Sequence, residues 1–271
     1  MGRYLWLVPT GFAIGAYGTL IGAGGGFLLV PLMILLYPKE NAQVITSVSL
    51  AVVFFNALSG SLAYARMGRI DYRSGSMFSA ATIPGAILGA LTTAYIPRRS
   101  FDAIFGLLMV AVSAFMAIRP TAERETNGGS HHRPVARGPV EARAEAPTLS
   151  YNPMIGVTLS FFVGYISSLL GIGGGIIHVP ALVHILNFPV HVATATSHFI
   201  LAVMALTGTI VHIATREFSR GVRRTIFLAL GVLPGAQLGA LLSNRVRGDW
   251  IIRGLAIALG FVGIRILIQA L

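Results

Sequence analysis

Eight apolar stretches run along this chain, near residues 4–37, 44–65, 74–96, 101–118, 154–186, 192–215, 223–243 and 250–270. Each is at least as long as the roughly 18 residues that a helix needs to cross a bilayer core. Only 11% of the residues are charged, against about 25% in an ordinary soluble domain. Most of the surface must therefore face something other than water. A membrane β-barrel would show short alternating segments. These stretches are instead continuous runs of Leu, Ala, Ile and Val, so the expected fold class is all-α, polytopic and membrane-embedded. The expected location is the cell membrane, crossed several times. The first stretch lacks a clear small-residue cleavage site and has an equivalent in mid-chain, so it is expected to be a retained span rather than a signal peptide.

The net charge of +11 does not point to nucleic acid. The basic residues sit in short connections: Arg66, Arg69 and Arg73; Arg98 and Arg99; Arg216, Arg220, Arg223 and Arg224; Arg245, Arg247 and Arg253. That placement fits loops held at a membrane surface. With no cysteine in the chain, disulfide, thiolate-metal and thiol-nucleophile chemistry are excluded. Residues 119–150 interrupt the apolar pattern with Glu123, Arg124, Glu125, His131, His132, Pro134 and Pro139. Such a segment cannot bury a core and is expected to be a flexible aqueous linker. It divides the chain into a first transmembrane repeat, 1–118, and a second, 151–271.

The two parts share motifs. GAGGGFLLVP at 22–31 matches GIGGGIIHVP at 171–180, ALSGSLAY at 57–64 matches ALTGTIVH at 205–212, and IPGAILGALTT at 83–93 matches LPGAQLGALLS at 233–243. Three matches in one order, offset by 148 to 150 residues, indicate internal duplication, a frequent sign of a secondary transporter. Four crossings per half would make the repeats parallel and place the larger basic clusters on one face. A re-entrant first segment would make them inverted. The sequence leaves both open.

Glycine runs disfavour a helix by about 1 kcal/mol per residue relative to Ala. Gly24, Gly25 and Gly26, and again Gly173, Gly174 and Gly175, are followed by Pro31 and Pro180. The helix is expected to break at both places. Broken backbone at membrane depth is tolerated where it is buried in protein or lines a wet cavity. A helix restarting after the glycines would aim unpaired N–H groups at that space, which suits an anion. The alternative is that these glycines only allow helices to pack closely.

Thr46 and Ser47, then Thr196 and Ser197, follow the two breaks as matched pairs of hydroxyls. They either donate to an anion or bond back to their own helix. Asn56 and Gln237 are lone amides that can join helices. His178, His184, His191, His198 and His212 all lie in the second half, and His198, directly after a Thr–Ser pair, is the best placed to meet an anion or relay a proton. Glu40, Asp71, Asp102, Glu217 and Asp249 map to loops or span ends. Hard cations prefer carboxylate oxygens, so the absence of deep acidic residues favours an anionic substrate.

The paired G-x-G-G-G…P segments, the Thr–Ser pairs and the PGA-x-LGA segments resemble the TauE/SafE family of bacterial sulfite exporters, over nearly all of the chain except the linker. The resemblance implies a multispan inner-membrane protein that moves sulfite or an organosulfonate, generally outward. Gly24–Gly26, Gly173–Gly175, Thr46, Ser47, Thr196, Ser197 and His198 would form its substrate region. No cofactor, metal or nucleic-acid partner is expected, and no Walker motif accompanies the spans. Proton coupling is compatible with His198. The rival readings are a transition-metal permease using the histidines, a membrane enzyme for which no orienting acid is present, and a non-transporting membrane partner.

Overall fold

The computed structural model describes residues 4–118, 152–243 and 248–270. The expected linker at 119–150 lies outside them. All regular elements among the described residues are helical. In the first half they are α1 (Leu7–Ile21), α2 (Gly26–Leu36), α3 (Ala42–Arg66), α4 (Tyr72–Thr92) and α5 (Arg98–Ile118). In the second half they are α6 (Pro153–Leu170), α7 (Gly175–His184), α8 (Val190–Ala214), α9 (Val222–Leu242) and α10 (Gly248–Ala270). The eight expected segments become ten helices because 4–37 and 154–186 are each two separate helices.

Length separates the helices into classes. Among the described residues, five are long and apolar enough to cross a membrane: Ala42–Arg66, Tyr72–Tyr95 (α4 with its 3-10 extension), Pro153–Leu170, Val190–Ala214 and Val222–Leu242. At 25 residues each, α3 and α8 extend about 37 Å. With 11 residues, α2 extends about 16 Å, half of a bilayer core. Polar side chains mark the helix starts. Asn41 accepts the Val44 N–H at 2.9 Å to begin α3. Asp71 accepts the Arg73 N–H at 3.1 Å to begin α4, and Asn152 accepts the Met154 N–H at 3.0 Å to begin α6.

Close contacts between the helices fix their directions. Thr46 meets His212, a Cβ at Gly208 would meet Leu50, and one at Gly60 would meet His198. As α3 ascends, α8 therefore descends. Gly106 faces Gly263 and Leu267 while Gly260 faces Ser113, so α5 and α10 are antiparallel too. Conversely, Gly11 faces Leu228 and Gly15 faces Val232, so α1 runs parallel to α9. Gly85 faces Phe161 and Tyr165, and Gly89 faces Tyr165 and Leu169, so α4 runs parallel to α6. Because α3 and α8 end at opposite sides, the basic groups that follow them, Arg66–Arg73 and Arg216–Arg224, sit at opposite ends. The sharing of one face that an even crossing count would have given does not occur.

The glycines of the PGA-x-LGA segments have a packing role. Gly85 and Gly89 let α4 lie directly on the backbone of α6, and Gly235 and Gly239 let α9 lie on the backbone of α1 at Phe12 and Ala16. The first helix of each half thus rests on the fourth helix of the other, and the halves interlock. Gln237 reinforces the seam by donating to the Ser59 carbonyl at 2.7 Å, so it acts as a helix-joining amide. At one end, Arg224 pairs with Glu40 at 2.7 Å and lies 3.8 Å above the Tyr37 ring, tying the end of α2 to the start of α9.

Candidate functional site

The glycine segments have matching backbones. Gly22 (φ 86°) ends α1 and Gly171 (φ 70°) ends α6. Gly25 (φ 77°) precedes α2 and Gly174 (φ 70°) precedes α7. These left-handed angles are costly for a residue with a Cβ. In the first break the N–H groups of Ala23 and Gly24 both reach back to the Gly18 carbonyl, at 2.8 and 3.1 Å. In the second, the Ile172 N–H reaches the Ser167 carbonyl at 3.1 Å. The chain reverses, and a new helix begins with N–H groups that have no intrahelical acceptor.

The two breaks meet each other. A Cβ at Gly26 would lie 2.6 Å from the Ile172 carbonyl oxygen, and one at Gly175 would lie 2.7 Å from Ala23 Cα. Residues 22–26 and 171–175 are all buried. Two apolar side chains pack on them, Val53 touching both. Val53 of α3 abuts Gly26 and Gly173, each at 2.7 Å from the added Cβ, and Leu201 of α8 abuts Gly24. With α3 and α8 offset by 148 residues, Val53 and Leu201 occupy equivalent positions.

That offset changes the hydroxyl pairing. Thr46 corresponds to Thr194 rather than Thr196, and Ser49 corresponds to Ser197. Contacts agree: Gly171 packs on Thr46, and Gly22 packs on Thr194. Several of the expected donors are engaged elsewhere. Thr46 Oγ1 donates to the Ala42 carbonyl at 3.0 Å and Ser47 Oγ to the Val44 carbonyl at 2.9 Å. Thr196 Oγ1 accepts the Asp71 N–H at 3.0 Å, holding the turn between α3 and α4. Ser49, passed over in sequence, donates to the Gly171 carbonyl at 2.6 Å. Its counterpart Ser197 is buried with an unpartnered Oγ.

The remaining polar groups fall into two unequal sets. Near the first break, Thr19 Oγ1 donates to Asn56 Oδ1 at 2.9 Å, Tyr64 Oη donates to the Thr19 carbonyl at 2.9 Å, and the Tyr64 ring meets His198 edge-on at 5.4 Å. His198 Nδ1 lies 3.3 Å from the Thr194 carbonyl. A carbonyl can only accept, so this nitrogen carries the proton, and Nε2 is a buried atom without a partner. Near the second break stand Ser167 and Ser168, both buried with unpartnered Oγ atoms. His178 Nε2 pairs with Ser160 Oγ at 3.1 Å and His212 Nε2 with Thr46 Oγ1 at 3.4 Å. His184 and His191 are exposed at helix ends. Among the described residues no three His, Asp or Glu side chains gather as a metal-binding group.

Asn56 had the appearance of helix glue in sequence, and Ser167 and Ser168 were not singled out. One signal would have found Ser168: it stands before its break where Thr19 stands before the other, so laying one half over the other exposes a hydroxyl at both places.

A helical protein crossing the membrane several times, with broken helices meeting at its buried centre, belongs among the membrane transporters. The sequence matches the family model "Sulfite exporter TauE/SafE" over residues 7–266, and the chain belongs to that family. It is 32% identical to a probable membrane transporter protein, YunE, of Bacillus subtilis, over 99% of this chain and 98% of that one. A probable membrane transporter protein of Xylella fastidiosa is 31% identical over 87% of this chain and 82% of its own length. Another, MJ0441 of Methanocaldococcus jannaschii, is 23% identical over 97% and 94%. No solved structure matches the chain.

Proposed function

We propose that this protein is a secondary transporter of a small anion, sulfite or an organosulfonate, working in the direction of export. The observation that carries the reading is the meeting of two left-handed glycine breaks, Gly22–Gly26 and Gly171–Gly175, at the buried centre. Each presents a helix start, whose N–H groups and partial positive charge favour an anion. No Asp or Glu sits deep in any described span to compete with it. The description of the family as a sulfite exporter supports the choice of substrate.

In this reading the two halves are inverted repeats. Each contributes a broken helix pair, α1–α2 or α6–α7, that enters and leaves on one side, followed by three crossings. The odd number accounts for the antiparallel α3–α8 and α5–α10 pairs. The substrate region is formed by Gly24, Gly25, Gly26, Gly173, Gly174 and Gly175, with Ser197 and His198 beside them and Thr46 packed on Gly171. Val53 and Leu201 close the space between the breaks. Rocking of the halves moves these side chains aside, first toward one face and then toward the other. His198 Nε2 accepts the proton that couples movement to the proton gradient.

Flux of radiolabelled sulfite, sulfoacetate and sulfate through proteoliposomes tests the proposal. Saturable movement of sulfite or sulfoacetate, accelerated by an opposing proton gradient, is the expected result. Lack of movement of all three anions would end the reading.

A further inference from the structure

The second half repeats the first half's backbone without its side chains, and two donors stand out against that background. Asn56 is 1% exposed, and its Nδ2 has no partner. It lies 3.4 Å from where a Cβ would stand on Gly25, the residue that opens α2. Ser167 is fully buried, and its Oγ also has no partner. It lies 2.7 Å from where a Cβ would stand on Gly174, the residue that opens α7. Each broken helix therefore starts beside one buried, unsatisfied donor. Leaving such a group buried and unpaired is costly, so a missing acceptor is indicated at both places.

We infer that Asn56 Nδ2 and Ser167 Oγ are the two side-chain anchors of the anion, one at each helix start. The inference rests on the proposed anion reading and deepens it. Neither anchor is the counterpart of the other. Asn56 corresponds to Met204, and Ser167 corresponds to Gly18. The seat is consequently formed by a carboxamide on α3 from one side and a hydroxyl on α6 from the other. Thr19 fixes the carboxamide by donating to its Oδ1 at 2.9 Å, which turns Nδ2 toward Gly25. Among the described residues no Lys or Arg is buried. The fitting ligand is an oxyanion with at least two acceptor oxygens round one centre, held by neutral donors and helix starts. A sulfite or sulfonate group has that form.

The inference is tested with purified full-length protein and sulfite as the probe, by initial rates in proteoliposomes and by sulfite-induced thermal stabilisation in detergent. Asn56→Asp keeps the oxygen that Thr19 uses and removes only the donors, adding a negative charge at the seat. Ser167→Ala removes one hydroxyl. Each is expected to raise KM for sulfite at least tenfold and abolish the stabilisation, with Vmax falling less in Ser167→Ala than in Asn56→Asp. Ser79→Ala deletes another buried, unpartnered hydroxyl, on α4 and away from both breaks, and is expected to change neither. If the Asp variant fails to fold, Asn56→Met installs the residue of its counterpart and carries the same expectation for KM. A wild type that transports sulfite, with KM unchanged within twofold in both the Asn56 and Ser167 variants, would overturn this inference and leave the function standing. A wild type that moves no anion would overturn both.

Discussion

The break at Gly22–Gly26 and the break at Gly171–Gly175 have one backbone and two linings. Both end a helix on a left-handed glycine, restart another on a second one, and press against each other at the centre. Around the first stand an amide, a hydroxyl and a phenol from Asn56, Thr19 and Tyr64, together with His198 from the opposite half. Around the second stand Ser167 and Ser168, with His178 and His212 bonded to hydroxyls. The difference teaches that two segments of matching backbone can stay packed together while the side chains beside them diverge. In the transport we propose, backbone donors supply the common attraction for an anion. In the same proposal the unequal side chains decide which anion is held and on which stroke it is released.

Variants in the breaks should produce the largest effects. Gly25→Leu and Gly174→Leu each place a side chain on a left-handed residue, at about 1–2 kcal/mol of strain, and fill the seat from opposite sides. Each alone should reduce sulfite flux at least a hundredfold in protein that still elutes as a single species. If only one of them does so, the breaks are not two parts of one seat. Next come the glycines that interlock the halves. Gly85→Leu drives a side chain into the α6 backbone and Gly235→Leu into the α1 backbone. Both should lower stability by about 3 kcal/mol through overpacking, read as earlier thermal unfolding in detergent, with similar losses for the two.

His198→Leu, which gives α8 the residue that α3 carries at Leu50, sharpens the comparison at smaller magnitude. It should abolish acceleration by a proton gradient and slow net flux about tenfold, while anion exchange at equilibrium persists. Retained acceleration would remove His198 from the coupling role. Tyr64→Phe, whose counterpart is His212, deletes the bond to the Thr19 carbonyl. It should cost about 1 kcal/mol of stability and move KM by no more than a few fold, as measured by unfolding and by initial rates.

Much of this architecture was legible in the sequence. Apolar runs too long for a soluble core fixed helices and membrane, and the doubled glycine clusters marked where helices stop. Direction was not legible, because it depends on whether 27–37 and 176–186 cross or turn back, and length alone does not decide that for a short helix. The hydroxyl register was misjudged because Thr46–Ser47 and Thr196–Ser197 look alike as letters. Packing of Gly171 on Thr46 and Gly22 on Thr194 shows the correct offset. Ser47 bonds back to its own helix, the alternative its sequence left open, whereas the bond that Thr196 accepts from the Asp71 N–H, 125 residues away, was invisible. The PGA-x-LGA segments were read as evidence of duplication and of the family resemblance, and their contact with the facing helix appears only once the chain is folded.

The central claim is that the two breaks approach one seat from opposite sides of the membrane, as inverted halves. Because the chain contains no cysteine, single cysteines report their face without background. Gly68, after α3, and Ser219, after α8, are both exposed. In sealed, uniformly oriented vesicles, an impermeant maleimide applied from one side should label Gly68→Cys or Ser219→Cys but not both, and reversing the vesicles should exchange the pattern. Labelling of both from the same side would contradict the account.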